Sequence, residues 1–229
     1  MHEAKFFWCS CARCSSVDEL GTNASTLLCP KCNKGLIVST KPLDQDAAWN
    51  CNNCKFSLAG SSVMNLVTRL YDELDAIDGN DVNGMENFIT KYSTSLHRNH
   101  YIFLSAKHSL CQVYGKIDGF LINELSIEQL KKKEDYCREF LEVIDVLEPG
   151  TSRLRGVVLY ELHAPVMLQI TKDLQCNRIK VSEFKQRLKE VVQILQKSYE
   201  ILKLEPTGSS ENSMALAAKT ALDSISNAQ

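Results

Sequence analysis

Residues Val181–Leu204 read VSEFKQRLKEVVQILQKSYEILKL. Val181, Phe184, Leu188, Val191, Leu195, Tyr199 and Leu202 recur at steps of three and four, so a helix gathers them into one apolar stripe and leaves lysines and glutamates on the other face. A strand, with its period of two, would scatter the same residues over both faces. The stretch is therefore read as a helix, and Pro206 stops it because proline lacks the amide hydrogen that the next turn needs.

Outward from this segment, similar spacing predicts helices over 61–76, 83–95, 99–115, 126–147, 152–176 and 211–226, with turn signals such as Asp78-Gly79 and Pro149-Gly150 between them. Ser126 with Gln129 three positions on has the spacing of a capping box, which satisfies the orphan amides of a first helical turn. Pro165 falls inside 152–176, and its ring predicts a kink or a division into two helices. Several long helices joined by short polar loops imply antiparallel pairs stacked as in tetratricopeptide-like arrays, although no strict repeat of about 34 residues is present.

The opposite end of the chain has a different composition. Residues 1–60 are rich in Cys, Asn, Ser and Lys, carry only short apolar pieces, and hold seven of the ten cysteines between positions 9 and 54. A segment so poor in apolar residues is expected to depend on metal for its order. The fold class that follows is mainly α: a small cysteine-rich zinc-binding region, then an all-α tetratricopeptide-like array. The expected division is 1–20 as a cysteine knuckle, 21–60 as a zinc ribbon and 61–229 as the helical domain.

Cys29-Pro-Lys-Cys32 and Cys51-Asn-Asn-Cys54 are two C-x2-C turns separated by 18 residues. Each turn presents two thiolates to one ion, and the intervening residues, with Gly35, Pro42 and the apolar run Leu36-Ile37-Val38, can form the small ribbon that returns the second turn to the first. Zinc is the metal that this donor set suits. Trp49 is read as packing for so small a module.

Phe6-Phe7-Trp8-Cys9-Ser10-Cys11-Ala12-Arg13-Cys14 places three further thiols behind an aromatic cluster, one short of a tetrahedron. The ribbon cysteines are already matched. Cys111, Cys137 and Cys176 lie in helical segments, where a single cysteine is usually a small buried hydrophobe, and His2 sits at the terminus. The economical expectation is a fourth donor in polypeptide that precedes these residues.

The aromatic cluster followed by C-x-C-x2-C resembles the post-SET segment of SMYD-type lysine methyltransferases, proteins with SET and MYND domains. The stretches DELGTNASTLLCPKC (18–32) and KPLDQDAAWNCNNC (41–54) look like the extra cysteine ribbon of the arthropod SmydA/msta group. NHYIFLSAKHSLCQVYGK (99–116), LEVIDVLEPGTSRLRGVVLYELHAP (141–165) and FKQRLKEVVQILQKSYEILKLEP (184–206) are similar to that group's helical carboxy-terminal region. The resemblance implies that Cys9, Cys11 and Cys14 share a zinc ion with a cysteine of the SET core, which this chain lacks. It implies that Phe7 stacks on the adenine of S-adenosylmethionine, while packing of Phe6 and Phe7 on the knuckle is an equal reading. Lys5 stands where active relatives carry the tyrosine of the substrate channel. The family's glycine-rich cofactor loop and its Asn-His cofactor motif also belong to the SET core; Asn99-His100 is read instead as the start of a helix.

Charge narrows the partners. With 26 basic and 28 acidic residues the formal net charge is −2, so there is no protein-wide positive field for nucleic acid or an anionic membrane. No apolar run reaches the roughly 20 residues of a membrane span. An intracellular protein of the cytoplasm or nucleus is expected. Lys131-Lys132-Lys133 reads as a solvated helix face, and Arg153 and Arg155 in Ser152–Gly156 as a possible contact for acidic peptides. Neither His108 with Cys111 nor His97 with Tyr101 has an orienting carboxylate at a matching position, and Glu161 with His163 reads equally as lining a groove before Pro165 or as an interior polar pair. The chain alone is thus expected to be catalytically inert. Two functions remain: the carboxy-terminal part of an S-adenosylmethionine-dependent protein-lysine methyltransferase, acting on a histone or other protein substrate, or a non-catalytic zinc adaptor that binds protein partners, for example in transcriptional control.

Overall fold

A computed structural model describes residues 9–227. Among them the elements are α1 (Ala12–Ser15), β1 (Leu27–Leu28), β2 (Leu36–Ser39), β3 (Trp49–Cys51), β4 (Ser57–Leu58), α2 (Gly60–Asp75), α3 (Val82–Tyr92), α4 (Tyr101–Val113), α5 (Ile127–Leu147), α6 (Arg153–Gln175), α7 (Val181–Leu202) and α8 (Ser210–Asn227). The molecule is mainly helical, with the cysteine clusters near the amino terminus and an all-helical region after them. Two compact units form, Met1–Ala106 and Lys107–Gln229. The composition change near residue 60 falls inside the first unit.

In the first unit the four short strands form an antiparallel ribbon in chain order, with Leu27 opposite Ile37, Ile37 opposite Cys51 and Trp49 opposite Leu58. Such a ribbon has one apolar face and cannot bury it alone. Leu27 and Ile37 share a core with Val63 and Leu70 of α2, Phe88 of α3, and Ile102 and Phe103 of α4. Beyond β1 the backbone continues the sheet's pattern: the Leu28 amide donates to Ser95, that of His97 to Thr26 and that of Tyr101 to Ala24. The chain passes from α1 to the ribbon through a turn in which Glu19, Leu20, Gly21 and Asn23 all have positive φ.

In the second unit α5, α6, α7 and α8 each pack on the next in sequence, as expected of helix pairs stacked in a tetratricopeptide-like array. Ser126 caps α5 with the expected box: the Gln129 amide donates to Ser126 Oγ at 3.2 Å, and Gln129 Oε1 accepts from the Ser126 amide at 2.8 Å. Pro165 does not divide α6, which runs unbroken from Arg153 to Gln175 with the proline buried. Proline deprives the Glu161 carbonyl of its helical donor, but burial of Leu162, Val166 and Ile170 on either side keeps the flanking turns in one element. Where α6 meets α7, Gly156 is required by closeness: a Cβ there would stand 2.6 Å from Leu202 and 2.8 Å from Ile201.

One solvated-face expectation fails. Lys131 is exposed and pairs with Asp135, but Lys133 is buried, its Nζ donating to the carbonyls of Cys111 and Tyr114 and to Glu161. Three adjacent residues on a helix point in three directions, so a run of like charges need not share a face. Glu161 pairs with Lys133 and Lys116. Arg153 and Arg155 are met by Glu205 and Asp145.

Candidate metal centre

The first C-x2-C turn is built from its backbone. The Asn33 amide returns to the Cys29 carbonyl, and Asn33 takes a left-handed φ of 53°, which asparagine tolerates better than most residues. The Gly35 amide then donates to Cys32 Sγ at 3.3 Å, and at the second turn the Asn53 amide donates to Cys51 Sγ at 3.4 Å. The ladder between β2 and β3 sets Ile37 opposite Cys51 and so carries the second turn to the first.

The four sulfurs lie within 4.8 Å of one another. Cys29 Sγ is 3.7 Å from Cys54 Sγ, and Cys32 Sγ is 3.8 Å from Cys51 Sγ. A zinc ion with bonds of about 2.3 Å to four thiolates sets its tetrahedral edges at about 3.8 Å, so the spacing fits that ion. Cys29 and Cys51 are buried, whereas Cys32 and Cys54 are half-buried. Gly35 closes the cradle: a Cβ on it would lie 2.3 Å from Cys51 Sγ and 2.8 Å from Asn53 Cβ.

Crowding four thiols separates their acidities. Asn53 and the amides of Lys34 and Gly35 draw Cys32 down to about 6. At Cys54 the Phe56 amide works downward, but burial and the neighbouring Cys51, Cys29 and Cys32 carry it up to about 11. Cys29, Cys32, Cys51 and Cys54 would hold a dication in place of the retained protons, so metal uptake would release them.

Cys9, Cys11 and Cys14 also converge, their sulfurs within 4.8 Å of one another, and no fourth His, Cys, Asp or Glu donor joins them among the described residues. The one-turn helix α1 folds Cys14 back toward Cys11 through the Ser15 amide, which donates to the Cys11 carbonyl at 2.9 Å. Cys11 is exposed, and hydrogen bonding from the Cys14 amide and from Cys9 lowers it to about 7. Cys14 is raised by Cys9 and then by Cys11. The arrangement can hold a metal ion through three sulfurs.

Cys9 and Cys14 also line a cavity of about 460 Å³ in the first unit. Its wall includes Val17, Leu43, Met64 and Tyr101, all exposed apolar side chains. Phe7, Phe6, Lys5 and His2 lie outside the described residues. Asn99 and His100 sit just ahead of α4: Asn99 Nδ2 donates to the Thr22 carbonyl, and the His100 ring is buried against Tyr101, so this pair anchors the turn at 18–26 to the helix. Sequence reasoning reads Gly35 only as part of the ribbon between the two turns and misses its closing of the cradle, for which the only signal is its position three residues after Cys32. No helix of the described residues is long and apolar enough to cross a membrane.

No protein-family model matches the chain, and no curated protein is similar to it.

Proposed function

We propose that this chain is the zinc-bound post-SET and helical carboxy-terminal portion of a SMYD-like SET protein, a protein-lysine methyltransferase that uses S-adenosylmethionine. The observation that carries the reading is the convergence of the Cys9, Cys11 and Cys14 sulfurs with a vertex open among the described residues. A donor from a SET core completes that tetrahedron, and the apolar wall of Val17, Leu43, Met64 and Tyr101 beside it has the composition of a surface that another lobe covers. In this reading the knuckle forms a lid on the cofactor and substrate cleft, Phe7 stacks on the adenine, and the helical array offers its concave side to a histone or other protein.

S-adenosylmethionine, when bound in such an assembly, supplies the methyl group; this chain's own part is to position the lid and exclude water. Both ions are read as zinc because thiolate sets of this spacing suit it. The test joins the chain to a SET portion of the family and measures methyl transfer to a lysine peptide. Transfer that is lost in Phe7→Ala supports the reading, and no donor binding in the joined protein overturns it.

A second reading is favoured by Lys5, which cannot serve as the channel tyrosine, and by the absence of an acid, base or nucleophile constellation in the sequence. The protein is then a zinc-containing adaptor, for example in transcriptional control, that works through the helical array. Partner binding by the joined protein without donor binding selects this alternative. Both readings place the protein inside the cell, in the cytoplasm or nucleus.

A further inference from the structure

Cys111 on α4 and Cys137 on α5 lie side by side within the second unit, their sulfurs 3.4 Å apart and both residues 0% exposed. They belong to neither metal cluster. Lys133, one turn before Cys137, donates from α5 to the carbonyls of Cys111 and Tyr114 at the end of α4, which fixes the two helices around the thiols. We propose that Cys111 and Cys137 are an oxidative modification site, forming an intramolecular disulfide that cross-links α4 to α5 when the oxidant is a hydroperoxide.

The step balances without another reagent. One sulfur, as thiolate, attacks the terminal peroxide oxygen; the O–O bond breaks, leaving a sulfenic acid, and the departing hydroxide or alkoxide takes up the proton that the first thiol released, as water or an alcohol. The second sulfur attacks the sulfenyl sulfur, the S–S bond forms, and the departing hydroxide takes up the second thiol's proton as water. Two thiols are oxidised and one peroxide is reduced. The sulfurs must approach from 3.4 Å to a bond of about 2.05 Å, a movement within reach of two side chains already in contact.

Burial governs rate and persistence together. Cys137 beside it, and then desolvation, push the Cys111 thiol up, so thiolate is scarce in the closed fold and the reaction proceeds from brief openings of the helix pair. The same burial keeps a bulky thiol reductant from the finished bond. Exposed Cys176 has no such neighbour among the described residues and follows the other course, oxidation singly.

The experiment treats the zinc-loaded full chain with hydrogen peroxide, alkylates the remaining thiols in denaturant, and maps the peptides without reduction. A 111–137 cross-linked peptide two hydrogens lighter than its separate halves is expected, with a rise in melting temperature that reduction by dithiothreitol in denaturant, followed by refolding, reverses. Cys137→Ala should abolish the cross-link and the rise while leaving the melting of the reduced protein within a few degrees. If both cysteines are recovered fully alkylated after Cys176 has been oxidised, or each carries its own sulfinic acid, the proposal is overturned. Should Cys137→Ala fail to fold, the peptide map of the unaltered chain alone decides between these results.

Discussion

Cys29 Sγ and Cys54 Sγ, 25 residues apart in the chain, lie 3.7 Å from each other, one edge of a thiolate tetrahedron. The opposite edge, Cys32 to Cys51, measures 3.8 Å. Neither edge of the ribbon site has to change for an ion to enter, whereas the knuckle of Cys9, Cys11 and Cys14 offers three donors. The chain as it stands should therefore retain one zinc against a moderate chelator and lose a second. Metal analysis after dialysis measures this. Cys54→Ser is expected to remove the retained ion and Cys11→Ser to leave it; two equally tenacious ions would mean that the knuckle finds its fourth donor locally.

Gly35 should be the least replaceable residue of the ribbon that is not itself a ligand. The 2.3 Å approach of an added Cβ to Cys51 Sγ cannot be relieved by a flexible side chain, because that sulfur accepts from the Asn53 amide and would be a ligand of the bound ion. Gly35→Ala is predicted to weaken zinc binding at least tenfold, read by competition with a chromophoric chelator, and to lower the melting temperature only of the metal-loaded form. Unaltered affinity would show that the turn can shift.

Lys133 and Glu161 make a buried ion pair of 2.8 Å with 2% and 5% of their side chains exposed. Its remaining valences are filled, the ammonium by two backbone carbonyls and the carboxylate by Lys116. Removing one partner strands the other charge out of water, so Lys133→Met should cost about 3–5 kcal/mol in urea unfolding. Lys133→Met combined with Glu161→Leu should cost less than the sum of the two single changes, since no uncompensated charge remains. Additive losses would place the destabilisation in packing rather than charge.

These features also mark the limit of what was legible in the sequence. The helix read over 181–204 forms from Val181 to Leu202, and that over 126–147 from Ile127 to Leu147, because a 3.6-residue period and a capping box are local signals. The ribbon site was legible for a similar reason, each C-x2-C turn declaring two ligands within four residues. Lys133 was not, since its burial depends on carbonyls at the end of another helix, 19 and 22 residues away. The meeting of Cys111 with Cys137 and the tightness of Gly35 against Cys51 and of Gly156 against Leu202 likewise exist only once separate elements pack, and single residues so far apart in the chain carry no pattern that predicts them.

His100 should make the protein acid-sensitive in a window set by its own chemistry. Its ring is fully buried; the Ile102 amide donates to Nδ1 at 3.3 Å, which leaves the proton on Nε2, and Nε2 has no partner among the described residues. Desolvation, and then the nearby His97, lower its pKa to about 4. An unfolded histidine titrates near 6.5, so between about pH 6.5 and 4 the unfolded chain binds more protons than the folded one, and stability falls as the pH falls. Going from pH 7 to 5 this single group should remove about 2 kcal/mol. Urea unfolding of the zinc-saturated chain at both values, compared with His100→Leu, isolates the effect because carboxylates and metal act alike in the two proteins. The variant should lose about 2 kcal/mol less than the parent over that interval, and equal losses would show that the buried imidazole accepts its proton in the folded state.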